Sequence, residues 1–112
     1  MEPKIKLMRK RSSNIRQNMV EILYYLHSGY GYQLSKIYNM IFPEVSQRLI
    51  YYHLRRGLQT KEIEIKERKQ ESGDFSWGSS VEKIVYALGP LALPKGNMRV
   101  KEFLEQRGKG NA

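Results

Sequence analysis

The chain contains no cysteine, which excludes disulfides, thiolate metal sites and a cysteine nucleophile and fits a reducing compartment such as the cytoplasm. Aspartate occurs once, at Asp74, and histidine twice, at His27 and His53. No Gly-rich phosphate loop, pair of metal-spaced histidines or nucleophile elbow is present, so no cofactor or metal is expected and the inventory argues against an enzyme. No apolar run reaches the roughly 18 to 20 residues a membrane span needs. The opening "MEPKIKLMRKRSSNIRQN" is basic but has no apolar core, so it does not read as a secretory signal. Acidic residues are also few: 11 against 20 lysines and arginines, a formal charge of +9 on 112 residues. A chain this basic repels itself, and a polyanion relieves the repulsion. On charge alone nucleic acid is the first candidate partner and an anionic membrane surface the second; the reading taken is nucleic acid, with no membrane partner.

The 112 residues are enough for one domain with one modest core, and an apolar content of 40% is at the lean end for it. Residues 1–11 carry Lys4, Lys6, Arg9, Lys10 and Arg11 against Glu2 alone. They read as a flexible basic arm, able to lie along phosphates. A first helix is expected from a cap at Ser12 or Ser13, with Ile15, Met19, Ile22, Leu23 and Leu26 on one face and Gly29 as its stop. His27 falls in its last turn. The second helix spans "YGYQLSKIYNMIF", buries Leu34, Ile37, Tyr38 and Ile41, and ends before Pro43. Tyr30 and Tyr32 are expected to pack over the junction between the two.

"VSQRLIYYHLRRGLQTKEIEI" gives a third helix capped by Ser46. Val45, Leu49 or Ile50, Leu54 and Leu58 form its buried stripe, and Gly57 weakens the helix interior, so the helix is expected to end near Arg56 to Leu58. Gln47, Arg48, Tyr51, Tyr52 and Arg55 fall on the remaining faces. The period then changes to two: Ile63 and Ile65 alternate with charged residues, and Ile84, Tyr86 and Leu88 alternate further on. The two strands flank the loop "ESGDFSWGSS", whose Trp77 is expected to anchor the hairpin. Pro90 and Pro94 mark a linker. "NMRVKEFLEQRG" forms a short terminal helix with Asn97 as cap, followed by a mobile tail. The expected organisation is a flexible arm at 1–11, a domain at 12–90, and linker, short helix and tail at 91–112.

Three helices, a hairpin and a further helix give an α+β, mostly α, winged helix-turn-helix. "EILYYLHSGYGYQLSKI", "VSQRLIYYHLRRGLQTKEIEI" and "KIVYALGP" resemble the first helices, recognition helix and wing strands of PadR-type regulators, and the second stretch also resembles ArsR-type domains. The resemblance covers roughly residues 13–90. It departs where Pro90 and Pro94 interrupt the long dimerisation helix usual in PadR-type proteins, and where "ALGPLA" follows the wing.

The resemblance implies a double-stranded DNA partner, with the Ser46–Arg56 helix in the major groove. Gln47 would then bond adenine and Arg48 guanine, both bidentately. Tyr51 and Tyr52 would reach phosphate, sugar or thymine methyl groups. Arg55 and Arg56, with Lys66, Arg68 and Lys69 on the wing, would grip backbone. The acidic Glu71 and Asp74 disfavour close approach of the wing tip. A transcription regulator of this kind would act as a homodimer, for which Met98, Val100, Phe103 and Leu104 are the candidate surface. The alternative is a structural RNA-binding protein, such as a small ribosome-associated component, since tyrosine and arginine also stack on unpaired bases. A protein-interaction module without nucleic acid is the third reading.

Overall fold

In the computed structural model the backbone is described for residues 2–75 and 78–110, and side chains for residues 14–70 and 83–107. Seven elements follow one another: α1 (Glu2–Leu26), β1 (Ser28–Tyr30), α2 (Gly31–Ile41), α3 (Gln47–Thr60), β2 (Ile63–Phe75), β3 (Gly78–Leu88) and α4 (Met98–Gly110). They form a winged helix-turn-helix with α4 added. The apolar faces expected of the first three helices meet as one core: Met19, Ile22, Leu23, Leu34, Ile37, Tyr38, Ile41, Ile50 and Leu54 are all buried there. Ile50, not Leu49, takes the inward position on α3, with no exposed surface.

Four boundaries differ from expectation. The segment expected as a flexible arm is the N-terminal part of α1, which runs from Glu2 through Ser12 and Ser13 without a break. Pro3 lies in the first turn, where its missing N–H has no intrahelical acceptor to lose. The stop of α1 is His27, not Gly29: His27 adopts φ 79° and its N–H bonds the Leu23 carbonyl at 2.7 Å. Gly29 instead sits in β1, a third strand that the three residues Ser28–Tyr30 are too short to announce.

The wing is the third difference. The sheet order is β1-β3-β2, all antiparallel, and most of the expected loop "ESGDFSWGSS" continues the two long strands, with Phe75 opposite Gly78. Cross-strand pairing satisfies backbone groups that Gly and Ser content alone assigns to a loop. Trp77 lies outside the described residues. A register shift between Ile65 and Glu67 makes Lys66 the extra residue of a bulge. Ile63 and Ile65 face Leu88 and Tyr86, as the alternation predicts; beyond the bulge Arg68 comes opposite Ile84.

The fourth is Gly57. It does not end α3, which continues to Thr60 and is capped by left-handed Lys61 (φ 67°). Ile63 packs directly over Gly57: a Cβ there would sit 2.6 Å from Ile63 Cδ1. The glycine is a contact point between helix and wing.

The caps expected for α3 and α4 form, whereas Ser12 and Ser13 lie inside α1. Leu49 N–H donates to Ser46 Oγ at 3.1 Å, Val100 N–H donates to Asn97 Oδ1 at 3.2 Å, and α2 stops at Phe42, extended before Pro43. The stretch around Pro94 is held by Glu21 of α1, which is buried (2% exposed). Its carboxylate accepts the backbone N–H groups of Lys95, Gly96 and Asn97 at 2.7, 2.9 and 3.0 Å and the Gln17 amide at 2.8 Å. Burial alone would raise the Glu21 pKa; the four donors, Lys95 first, outweigh it and hold the carboxyl below its ordinary value. Gly96 supports this turn at φ 84°. So anchored, α4 packs on the core through Val100, which has no exposed surface.

Candidate nucleic-acid interface

The buried stripe of α3 consists of Ile50, His53, Leu54 and Gly57. At 100° per residue the opposite side of the helix centres on Arg48, Tyr52, Arg55 and Gln59, spaced by steps of four, three and four. All four are exposed, as are Ser46, Gln47 and Arg56. Tyr52, with 46% of its surface exposed, stands outside the core. The helix thus presents a cationic wall with a tyrosine in its middle, and none of Gln47, Arg48 and Arg55 has a side-chain hydrogen bond or ion pair among those described. Arg56 bonds Gln59 at 2.7 Å, which orients it along the helix.

Tyr51 behaves differently from its neighbour. It is half-buried and leans on the start of α2, where a Cβ at Gly31 would lie 2.5 Å from the Tyr51 ring. It therefore faces the groove between α3 and the wing and not the open side of the helix. Lys66, Arg68 and Lys69 are exposed on β2. Lys69 lies 3.5 Å from Glu67, and the Tyr30 phenol and the Glu67 carboxylate raise its pKa above the ordinary value. The side chains of Lys4, Lys6, Arg9, Lys10, Arg11, Glu71 and Asp74 lie outside the described set.

Under the wall, α3 is tied to α1 and the wing by a polar cluster. Arg16 donates to Glu62 at 2.8 Å and its guanidinium lies 3.4 Å from His53 Nδ1. Thr60 also donates to Glu62, at 2.6 Å. His53 is 4% exposed, a packing residue as its place in the stripe predicts. Burial, then the charges of Arg16 and Arg56, push its pKa below the ordinary 6.5.

Between α3 and the wing lies a cleft of about 370 Å³, lined by Tyr30, Gly31, Tyr32, Gln33, Tyr51, Lys83, Ile84 and Tyr86. Of these, only Tyr51 is among the site residues expected from the sequence. Tyr30 and Tyr32 were expected to cover a helix junction; β1 aligns Tyr30 with Val85 on β3, and Tyr32 remains 57% exposed. The alternation that set Tyr86 on the inner face of the wing was the available signal, but which helix it would meet is a tertiary fact. Burial raises the pKa of Tyr86, and so does Tyr51, whereas Arg68 and Arg55 pull it down.

Of the four residues of the candidate dimer surface, Val100 is inside the protein's own core, and Phe103 and Leu104 are half-buried against it. Met98 alone is largely exposed, at 57%. A docked helix satisfies its apolar face within the chain, so these four do not make a free surface together. Among the described residues no cluster of three metal-ligating side chains occurs, and no helix is long and apolar enough to cross a membrane.

Fold and surface together define a basic winged-helix protein whose third helix has an exposed outer side among the described residues. No protein-family profile and no curated protein matches the sequence. Among solved structures, the crystal structure of a PadR family transcription regulator from hypervirulent Clostridium difficile R20291 is similar, with 21% identity over 86% of this chain and 84% of that one and a TM-score of 0.49.

Proposed function

We propose that the protein is a sequence-selective double-stranded DNA-binding protein of the cytoplasm, acting in transcription regulation, with α3 entering the major groove. The observation that carries this reading is the outward wall of α3. A helix needs one apolar stripe to fold, and here the opposite side holds Arg48, Tyr52 and Arg55, exposed and backed by a rigid core. A major groove about 12 Å wide admits one such helix. Ser46 and Gln47 at the leading end, with Arg48, would meet base edges. Arg55 and Arg56, one turn or more behind, and Lys66, Arg68 and Lys69 on the wing would neutralise phosphates. Lys4, Lys6, Arg9, Lys10 and Arg11 on α1 would add sequence-independent affinity. One helix in one groove gives a small contact, so high specificity calls for two copies on one site. Their contact would use a surface other than the docked face of α4.

Selection from a randomised duplex pool tests the reading. A recovered consensus bound at least about a thousandfold more tightly than scrambled duplex at physiological salt is expected. Arg48→Ala should relax preference at one position and cost about 1 to 3 kcal/mol there. Equal affinity for all duplexes, together with preference for folded RNA and co-sedimentation with ribosomal particles, would replace the reading with that of a structural RNA-binding component.

A further inference from the structure

The tyrosine cleft is not needed to hold a helix in a groove. Yet its chemistry is specific. Tyr30, Tyr32, Tyr51 and Tyr86 turn toward one space, and lysine ammonium groups already sit over two of the rings: Lys83 5.0 Å from the Tyr30 centroid and Lys36 5.2 Å from that of Tyr32. These contacts fix ring orientation. Gly31 lets the Tyr51 ring lie against the backbone at the floor of the cleft, since a side chain there would collide with it. Basic side chains lie along the rim, Arg55 and Arg68 close enough to act on Tyr86 and Lys69 beside Tyr30, with the Glu67 carboxylate 3.5 Å from Lys69.

A cleft of aromatic faces within a positive rim suits a planar ring attached to phosphate. A base inside an intact duplex cannot reach it, because both its faces are stacked; an unpaired base can. The cleft also lies between α3 and the wing, beside the surface proposed for the duplex. We propose that it takes the base of an unpaired nucleotide, at a strand end or a distorted step, by stacking on Tyr32, while the basic side chains of the rim, Lys69 among them, draw the flanking phosphates. This rests on the duplex reading above, and adds to it a preference for DNA with a locally open strand.

The test compares three fluorescent probes sharing one duplex: blunt, with a three-nucleotide thymine overhang, and with an overhang of the same length lacking bases. The phosphate count of the last two is equal, so their ratio isolates the base. The full-length protein should bind the thymine overhang about tenfold more tightly than the abasic one, as stacking on an aromatic side chain gives. Tyr32→Ala, at an exposed position that folding does not need, should bring the ratio to about one and leave blunt-duplex affinity unchanged. Equal affinity for the two overhangs in the wild-type protein, or a ratio that survives Tyr32→Ala, overturns the proposal. Failure to bind any duplex sinks the duplex reading alone. The cleft is then decided by titrating thymidine monophosphate and a short thymine oligonucleotide while following the Gly31 and Tyr32 amide signals. Saturable shifts there with the oligonucleotide uphold a strand-end base. Shifts with the mononucleotide alone reassign the cleft to free nucleotide, and no shift with either overturns it.

Discussion

The two long faces of α3 teach opposite lessons. Its inner face is governed by volume: Ile50 and Leu54 have no exposed surface, His53 almost none, and Gly57 is small because Ile63 occupies the space beside it. Its outer face is governed by charge and reach, with Arg48, Tyr52 and Arg55 exposed and Tyr52 edge-on to His53. Changes on the first should therefore alter stability, and changes on the second should alter binding while leaving stability nearly untouched. Glu21 extends the comparison to α1, since a buried carboxylate with four donors belongs to the first class although it is charged.

The largest effect is expected at Glu21. Glu21→Gln replaces a charged acceptor by a neutral one and leaves backbone donors poorly served, costing on the order of 3 kcal/mol, read as a lower urea midpoint with unchanged slope. Gly57→Ala sharpens the comparison on α3. Helix propensity alone would favour alanine by about 1 kcal/mol, but overpacking against Ile63 should cost about 1 to 3 kcal/mol, so the sign of the change decides whether the inner face is as tight as the contact implies. Arg55→Ala is the counterpart on the outer face. It should change the unfolding free energy by less than about 0.5 kcal/mol while weakening duplex binding and reducing the salt slope by about 1. A stability loss equal to that of Gly57→Ala would break the distinction between the faces.

The smallest effect concerns pH. The folded-state pKa of His53 lies below its ordinary 6.5, so the unfolded chain binds a proton before the folded one does. Stability is therefore full above about pH 6.5 and declines as the pH falls from there toward the depressed folded value. Glu21, also depressed, adds a separate loss at lower pH: its contribution is complete above the unfolded carboxyl value of 4.5 and disappears as pH falls through the folded one. Urea midpoints measured from pH 7.5 down to 5 should fall in the wild-type protein and fall less in His53→Gln. Parallel curves for the two proteins would remove His53 as the source.

Much of the helical part could be read directly. The steps of three and four in Ile15–Leu26 and Leu34–Ile41, the Ser46 and Asn97 caps and the Pro43 stop each report a local preference, and local preference suffices where one apolar face fits one core. The wing was legible in its inner parts, where Ile63, Ile65, Tyr86 and Leu88 alternate, but not in its length. Pairing between β2 and β3 carries the strands through glycine and serine that have little strand preference of their own. The outward residues of α3 were legible as a set, except that Tyr51 turns toward the wing. The cleft was not legible, since its tyrosines come from β1, α2, α3 and β3.

The order of residues thus determined which faces are apolar, where three of the helices are capped or stopped, and that the chain carries an excess of positive charge, because each of these is set by neighbours within a few positions. The meeting of Tyr30, Tyr51 and Tyr86, the seating of Ile63 on Gly57, and the capture of the Lys95–Asn97 backbone by Glu21 were decided only by the packed chain. Those contacts join residues far apart in sequence, and their energies exist only once the elements between them have been brought together.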